Sequence, residues 1–354
     1  MKSAPRLSVI VPVRNGGATL EACLRGLLPS IADLAEILVV DDGSTDNSAA
    51  IANALGVRVV ANPRGRGPAA ARNAGAALTT GGVLLFIDAD VVVQASTVLD
   101  VVAVLDAETT LAGVFGSYDD RPHEPNFLSQ YKNLLHHFTH QTGRAASGSF
   151  WGGCGALRRQ AFEAVGGFDE QRYRRASIGD IELGLRMARS GRRIRLDARL
   201  QVKHLKRWTA FSLLKAEIVD RAYPWSRLIV STGPLPDDLN LRRASRWSAG
   251  LVGLVVLAGL YLALGARRFY GVPAFELALA AGVMATALVL VVNRQFYGFL
   301  LRARGPLFTL RAIPLHLCYF FYSGVTFVLC WLWEQGRRDR SRHHKVDAPR
   351  ASSA

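Results

Sequence analysis

The sequence predicts an α/β fold with a mostly parallel central sheet, followed by C-terminal transmembrane helices. Three observations predict it. Up to about Leu105, short continuous apolar runs alternate with segments of helical spacing, the layout of a parallel sheet covered on both faces. Two of those runs end in acidic turns, Asp41-Asp42-Gly43-Ser44 and Asp88-Ala89-Asp90. The last third holds three long apolar segments, each near the ~20 residues that cross a hydrocarbon layer.

Leu7–Val13 reads as the first strand and stops at the turn Arg14-Asn15-Gly16-Gly17. Thr19 can cap the helix in which Leu20, Cys23, Leu24, Leu27 and Leu28 keep helical spacing. Ile37–Val40 is the second strand, and Ser44 or Asp46 can cap a helix running through Ala54. Val57–Val60 is the third. Pro68 then takes a first helical position ahead of Ala69–Leu78, and Val83–Ile87 is the fourth strand. Between Gly113 and Leu200 the texture changes, and stretches such as Ser147–Gly153 read as irregular loops near a site. Asn126–His140 has the spacing of an amphipathic helix carrying Phe127, Leu128, Tyr131, Leu134, Leu135 and Phe138, and the reading favours lipid contact over a core position. His136, His137 and His140 look like a metal cluster, but adjacent histidines do not share a helix face, so they read as solvated or lipid-facing.

The apolar segments are 247–264, 272–292 and 313–333, with Trp247, Tyr261, Phe269, Tyr270, Trp331 and Trp333 at their ends as interfacial belts have. They divide the chain into residues 1–235, a membrane region 236–336 and a basic, disordered tail 337–354. Three full crossings from a cytosolic start put that tail outside. Yet it carries Arg337, Arg338, Arg340, Arg342 and Lys345, against the inside bias of cations. A re-entrant or interfacial segment, a tolerated exception, and an interfacial Arg294–Arg311 linker all stay open at this point.

Composition narrows the partners. The 354 residues carry 43 Lys+Arg against 28 Asp+Glu, a net charge of +15, which suits nucleic acid or an anionic membrane face. The cations crowd around the apolar segments and no nucleic-acid reading module is present, so the reading is membrane and no nucleic acid. Cys23, Cys154, Cys318 and Cys330 show no metal-type pairing, which fits a reduced, cytosol-facing domain. Met1–Val13 lacks the charged-then-apolar layout of a signal peptide.

Carboxylates at the tip of a buried strand sit in the crevice where open α/β sheets bind ligands. They need a compensating charge there, and a divalent ion carrying phosphates supplies it, so the acidic turns point to a nucleotide-diphosphate site. Arg72 and Asn73 follow Pro68 by one helical turn, where free N–H groups and a guanidinium fork can meet phosphate, although Arg72 can equally pair with a carboxylate. Glu182 and Arg186 have the spacing of a helix ion pair.

Several pieces in order resemble family 2 glycosyltransferases of the GT-A fold. They are Ser8–Asn15, Val40–Asp46, Gly67–Gly75, Asp88–Asp90, Gly166–Asp169 and Gly179–Arg186, spanning about Leu7 to His204. The resemblance implies a membrane-anchored bacterial enzyme of the inner membrane, multi-pass, with a GT-A catalytic domain on the cytoplasmic face. It implies metal-dependent transfer from a nucleotide-diphosphate sugar, UDP-linked foremost; a single displacement with one base makes the transfer inverting, and the membrane anchoring points to a lipid-linked or envelope-glycan hydroxyl as acceptor. By the same resemblance Pro12, Val13, Asp42, Arg72, Asn73 and Asp88 stand beside the nucleotide sugar. Asp90 binds Mg²⁺ or Mn²⁺, Asp88 meets the ribose or a metal-bound water, and His204 is a further metal ligand as in some relatives. Asp180 is the base, with Gly179 where the family carries an acid; Glu182 is its support or rival, and Arg186 holds Glu182. Trp151 and Gly152 line the acceptor side. The Gln-x-x-Arg-Trp motif of processive relatives is absent, and Arg221 and Trp225 precede the membrane region instead, which argues against a polymer synthase. Two other functions compete. Gly65-Arg66-Gly67-Pro68-Ala69-Ala70 fits a dinucleotide turn of an NAD-dependent oxidoreductase, but it follows the third strand and Pro68 removes an N–H. The other is a catalytically inactive GT-A membrane scaffold.

Overall fold

The computed structural model describes residues 6–31, 35–62, 67–233, 239, 242–264 and 274–346, with side chains through 337. The chain forms two compact units. The first comprises Met1–Leu213, Pro236–Asn240 and Phe299–Phe308; the second comprises Leu214–Leu235, Leu241–Gly298 and Thr309–Ala354. Residues 214–235, which the sequence reading grouped with the α/β domain, thus belong with the apolar helices.

The strands of the first unit are β1 (Leu7–Val13), β2 (Ala35–Asp41), β3 (Arg58–Ala61), β4 (Val83–Ile87), β5 (Val91–Val92), β6 (Leu111–Tyr118), β7 (Ala146–Ser147), β8 (Cys154–Arg158) and β9 (Arg193–His204). They form one sheet in the order β3-β2-β1-β4-β8-β6-β9-β5, with β7 also on β9. The four predicted strands pair in parallel, β1 lying between β2 and β4. Burial explains why they are legible: β1 is buried at every position, so both of its faces are apolar. On one side Val9, Val11, Leu85 and Ile87 pack with Leu20, Leu24 and Leu27 of α1 (Gly17–Ile31). On the other, Ile10, Leu84 and Phe86 meet Ala69 and Ala71 of α3 (Pro68–Ala77), after α2 (Ser48–Ala54) has led into β3.

A carboxylate fastens the N-terminal edge of this core. Glu36 Oε1 accepts from Ser8 Oγ at 2.8 Å and from the Thr80 and Gly81 N–H groups at 2.7 and 3.3 Å. Burial pushes the carboxyl up, but the Thr80 and Ser8 hydrogen bonds outweigh it and hold the group below its ordinary range. Its stabilisation is therefore complete above the unfolded-state pKa and disappears as pH falls through the lowered folded one. Glu36→Gln is expected to cost about 1 kcal/mol at neutral pH. That deficit shrinks on acidification, as paired urea titrations at two pH values would show.

Between 113 and 200, residues 148–153 are irregular, as the sequence reading has it, and strands lie on both sides of them. After α4 (Thr97–Ala107), β6 runs parallel to β9 and antiparallel to β8, and β8 is antiparallel to β4. The helix α5 (Phe127–Gln141) differs from expectation. It packs on the sheet rather than on lipid, burying Tyr131, Leu134, His137 and His140. His137 Nδ1 lies 2.7 Å from Tyr118 O and His140 Nδ1 2.9 Å from Gly116 O, so these imidazoles satisfy carbonyls of β6. The remaining helices of this unit are α6 (Arg159–Ala164) and α7 (Gly179–Arg189). Residues 299–308 join the unit through α5: Phe308 lies 5.0 Å from Phe127, and Arg304 donates to Gln130 Oε1 and Asp120 O at 2.9 Å.

In the second unit, α8 (Ala210–Lys215) leads through a π-helical stretch, Ala216–Ala222, into α9 (Tyr223–Thr232). The apolar helices are α10 (Arg243–Ala263), α11 (Ala274–Val292) and α12 (Arg294–Val346). Among the described residues, Arg243–Ala263, Ala274–Val292 and Arg294–Arg337 are long and apolar enough to cross a membrane. Gly305 breaks α12 with φ 82° and ψ 178°, values a helix excludes, and Pro306 restarts it where no N–H is needed.

Candidate functional site

The site is built at the tip of β4. Asp88 follows that strand, and its N–H donates to Gly153 O at 3.3 Å, tying it to the start of β8. Three residues on, β5 begins and pairs with the end of β9, setting Val91 opposite His204. Leu205 N donates to Asp90 O at 2.8 Å. This short ladder brings His204 Nε2 to 3.7 Å from Asp90 Oδ2. His204 is fixed from behind by Tyr118, whose ring stacks on it at 4.2 Å and 13°. The alternation along β9 puts His204 on the buried face.

Asp180 arrives from another direction, in the first turn of α7. Its Oδ2 accepts from Gly152 N and its Oδ1 from Ile181 N, both at 2.9 Å. Glu182 and Arg186 meet as the spacing predicts: Oε1 and Oε2 take Nε and Nη2 at 2.7 and 2.9 Å. The same guanidinium donates to Val165 O and Gly167 O, so Glu182 is spent anchoring α7 and is no rival to Asp180. Trp151 packs edge-on to Tyr118 at 4.8 Å beside this corner.

Three acids therefore share one corner, and their protons respond to one another. Burial pushes Asp88 upward; Arg72 draws it down, while Asp90 and Asp180 push it up again, and the net direction is upward. Burial also opposes charge on Asp90, but the His204 imidazole 3.7 Å away and the Lys206 ammonium hold its carboxyl below the ordinary range. Asp180 is raised by burial, against the Gly152 N–H and Arg72. The Cys154 thiol beneath, pushed up to about 12 by burial and Asp88, stays neutral.

Three sequence-assigned residues take other contacts. Arg72 closes on Asp88 Oδ1 at 2.5 Å and sits over the Phe168 ring at 5.4 Å, so its fork faces a carboxylate rather than an open phosphate pocket. Asn73 spends both ends of its amide on Phe168, donating to its O and accepting from its N at 2.9 Å. In this way Asn73 pins the Gly166–Asp169 turn to α3. Asp42 does not meet the other acids but accepts from Asn62 Nδ2 at 2.6 Å and Gly67 N at 2.9 Å. Its backbone N–H donates to Val13 O at 2.8 Å, and Pro12 and Val13 are buried at the end of β1. Because Gly67 N–H is taken by Asp42, it is not free for a dinucleotide phosphate, and Gly65 lies outside the described residues. Tyr118, Asn62 and Lys206 were not singled out from sequence. Only the alternation of β9 pointed at the strand that faces Tyr118.

Arg72 is the cation on which the cluster depends. Its side chain keeps 11% exposure and that of Asp88 35%. Arg72→Met keeps the stem and removes the charge. It is expected to lower stability by about 2–3 kcal/mol, less than a fully buried pair because Asp88 is partly wetted. An unchanged urea midpoint would overturn this.

The donor chemistry suits a hard cation. Asp90 and His204 offer one carboxylate and one imidazole, and ions such as Mg²⁺ bind through one or two carboxylates plus substrate phosphates. Among the described residues no group of three His, Cys, Asp or Glu side chains is placed to hold one ion on its own, so phosphate oxygens would complete the shell.

The glycosyl transferase family 2 model matches residues 8–166. The matched segment ends before Asp180 and His204. Over 95 residues the chain is 38% identical to the uncharacterized glycosyltransferase YibD of Escherichia coli, covering 25% of this chain and 27% of that protein. Over 214 residues it is 27% identical to the probable glycosyltransferase YdaM of Bacillus subtilis, covering 55% and 49%. These alignments span between about a quarter and a half of the curated relatives. The mannosyltransferase PcManGT from Pyrobaculum calidifontis, solved with GDP-Man and Mn²⁺, shares the fold at TM-score 0.50 and 20% identity, over 94% of this chain and 88% of that one. The α/β unit therefore has a GT-A fold.

Proposed function

We propose that the glycosyltransferase moves one sugar from a nucleotide-diphosphate donor to a hydroxyl acceptor with inversion at the anomeric carbon. The observation that carries this reading is the meeting of Asp88, Asp90, Asp180 and His204 at the tip of β4. Asp180, oriented by Gly152 N–H and Ile181 N–H, accepts the acceptor hydroxyl's proton as its oxygen attacks. The new C–O bond forms while the bond to the diphosphate breaks, and the diphosphate leaves with the electron pair. Inversion follows from a single displacement with one base and no second nucleophile assigned. Asp42, held by Asn62 and Gly67, stands for the nucleoside, and Asp90 with His204 would hold Mg²⁺ or Mn²⁺. When bound, that ion would neutralise charge on the departing diphosphate.

The apolar helices support an anchored enzyme with a lipid-linked or envelope-glycan acceptor, on the cytoplasmic face of a bacterial inner membrane. PcManGT holds GDP-Man and Mn²⁺, and another solved glycosyltransferase, glucosyl-3-phosphoglycerate synthase of Mycobacterium tuberculosis, holds UDP and Mn²⁺. Those ligands motivate screening UDP-, GDP- and dTDP-sugars with Mn²⁺. At a hundredfold over Kd, a true donor adds about 2.7 kcal/mol, a rise in Tm of about 5 °C or more. Metal-independent stabilisation by NADH alone would favour an oxidoreductase instead.

A further inference from the structure

We infer that α12 beyond Pro306 lies in the plane of the membrane beside the helical rod 214–232 and does not cross it. The chain then crosses twice, and its basic tail rests against the anionic leaflet on the face from which α10 enters. The inference rests on the membrane-anchored reading above.

The two crossings are α10 and α11. They run antiparallel: Asn293 Nδ2 donates to Ser248 Oγ at 2.9 Å near the entry end, and a Cβ at Gly282 would lie 3.4 Å from Ala258 Cβ farther in. At Asn293 the chain is therefore back on its starting face. There α12 folds over at Gly305, and His316 returns beside Phe296 at 4.8 Å. Phe320 then packs with Val252 and Val289. Four residues later a Cβ at Gly324 would lie 3.7 Å from Ala249 Cβ. Four residues advance a helix by about 6 Å, yet α12 has moved from Val252 back towards Ala249 rather than deeper along α10. It crosses over the entry end of the hairpin.

Beyond that point α12 runs with the rod. Tyr322 OH donates to Glu217 Oε2 at 2.7 Å, and the Arg227 guanidinium lies 5.6 Å from the Trp333 ring. The contacts advance in the same sense, ten residues along the rod and eleven along α12, each about 15 Å of helix. The two helices are side by side and parallel, so they share one orientation to the bilayer. The rod cannot thread hydrocarbon, because Lys215, Asp220, Arg221 and Arg227 ride on it and Glu217 is already paired with Arg221 at 2.9 Å. Hence α12 does not thread it here either.

The exposed groups fit the headgroup boundary. Val219 and Tyr223 on the rod and Phe321, Val325 and Leu332 on α12 are exposed apolar groups for the acyl side. Arg227 and Arg337 both approach the exposed Trp333 indole, at 5.6 and 4.9 Å, offering two guanidiniums to acidic headgroups. The run Arg338, Arg340, Arg342 and Lys345 then falls on the cytoplasmic side, where such cations are favoured. The conflict between three crossings and a basic tail disappears.

Site-directed labelling of the full-length protein tests this. In a Cys318→Ser background, where the other three cysteines are buried, single cysteines are introduced as Ser341→Cys, Ser96→Cys for the catalytic side and Gly271→Cys for the α10–α11 connection. An impermeant maleimide is applied to inverted and right-side-out membrane vesicles. Positions 341 and 96 are expected to label about tenfold more in inverted vesicles, and position 271 the reverse. Labelling of 341 together with 271 would overturn the in-plane placement while leaving anchoring intact. Extraction of the protein by carbonate, or labelling of 96 and 271 from the same face, would overturn anchoring and topology together. If the Ser341→Cys protein does not accumulate, C-terminal green fluorescent protein and alkaline phosphatase fusions decide the side: fluorescence supports the inference, and phosphatase activity refutes it.

Discussion

Replacing Asp180 with Asn is expected to cut sugar transfer by about a thousandfold, the middle of the range for general acid–base catalysis. The change is nearly isosteric. Asn keeps an oxygen to accept the Gly152 N–H that now reaches Oδ2 at 2.9 Å, so the junction between α7 and β8 should hold. It removes the capacity to take a proton and, because an amide NH2 donates, the acceptor that Oδ1 offers to Ile181 N at 2.9 Å. Burial already raises the Asp180 carboxyl, which brings it nearer the range in which a base is both ionised at neutral pH and able to accept a proton. The informative comparison is between turnover and donor binding. Transfer should collapse while the stabilisation by nucleotide sugar and Mn²⁺ stays as in the parent. Normal turnover would remove Asp180 from the mechanism, and loss of donor binding as well would make it a structural group. Glu182→Gln is the control, because its carboxylate is bound at both oxygens by Arg186 and should act on stability before chemistry.

What could be read from the sequence depended on whether the signal was local. The strands β1, β2 and β4 are buried through both faces, so continuous apolar runs gave them away, and their acidic tips followed. β6 is hard to read because Gly113 and Gly116 interrupt its apolar run. Both are needed where strands crowd: a Cβ at Gly113 would lie 2.6 Å from Ala156 O, and one at Gly116 would strike Leu200 O. β9 is hard to read, because Arg193, Arg195 and Arg199 interrupt its apolar positions. Its alternation at Ile194, Leu196, Leu200, Val202 and His204 was the available signal for a strand with one wet face. Helix spacing correctly joined Glu182 to Arg186, which are four apart. It could say nothing of Arg72 and Asp88, sixteen apart on different elements, or of Asn73 and Phe168, ninety-five apart. The lipid-facing reading of α5 failed for the same reason. Its apolar stripe was real, but the partner is β6, and the histidines on that stripe meet carbonyls that no local pattern reveals.

Asp90→Asn is expected to weaken Mn²⁺ binding by more than about a hundredfold, beyond the 10–100-fold that changes outside the ligand shell cost. Charge at this corner is the reason. Asp88 is raised by burial and by its acidic neighbours and is already paired with Arg72 at 2.5 Å, so it is the poorer anion. Asp90 is held ionised by His204 and Lys206, against burial, and faces the same space as His204. A hard cation arriving with a diphosphate needs an oxygen that is charged before it comes, and Asp90 supplies it. Asparagine leaves a neutral carbonyl in that place. Titration of Mn²⁺ with UDP present, followed by the electron paramagnetic resonance of the free ion, measures the affinity without any turnover. Tyr118→Leu separates ligand from support: it takes away the ring stacked on His204 at 4.2 Å but no donor atom, so affinity should fall about tenfold. Equal Mn²⁺ affinity in Asp90→Asn and the parent would mean that the ion is held elsewhere, and the convergence of β4, β5 and β9 would then need another explanation.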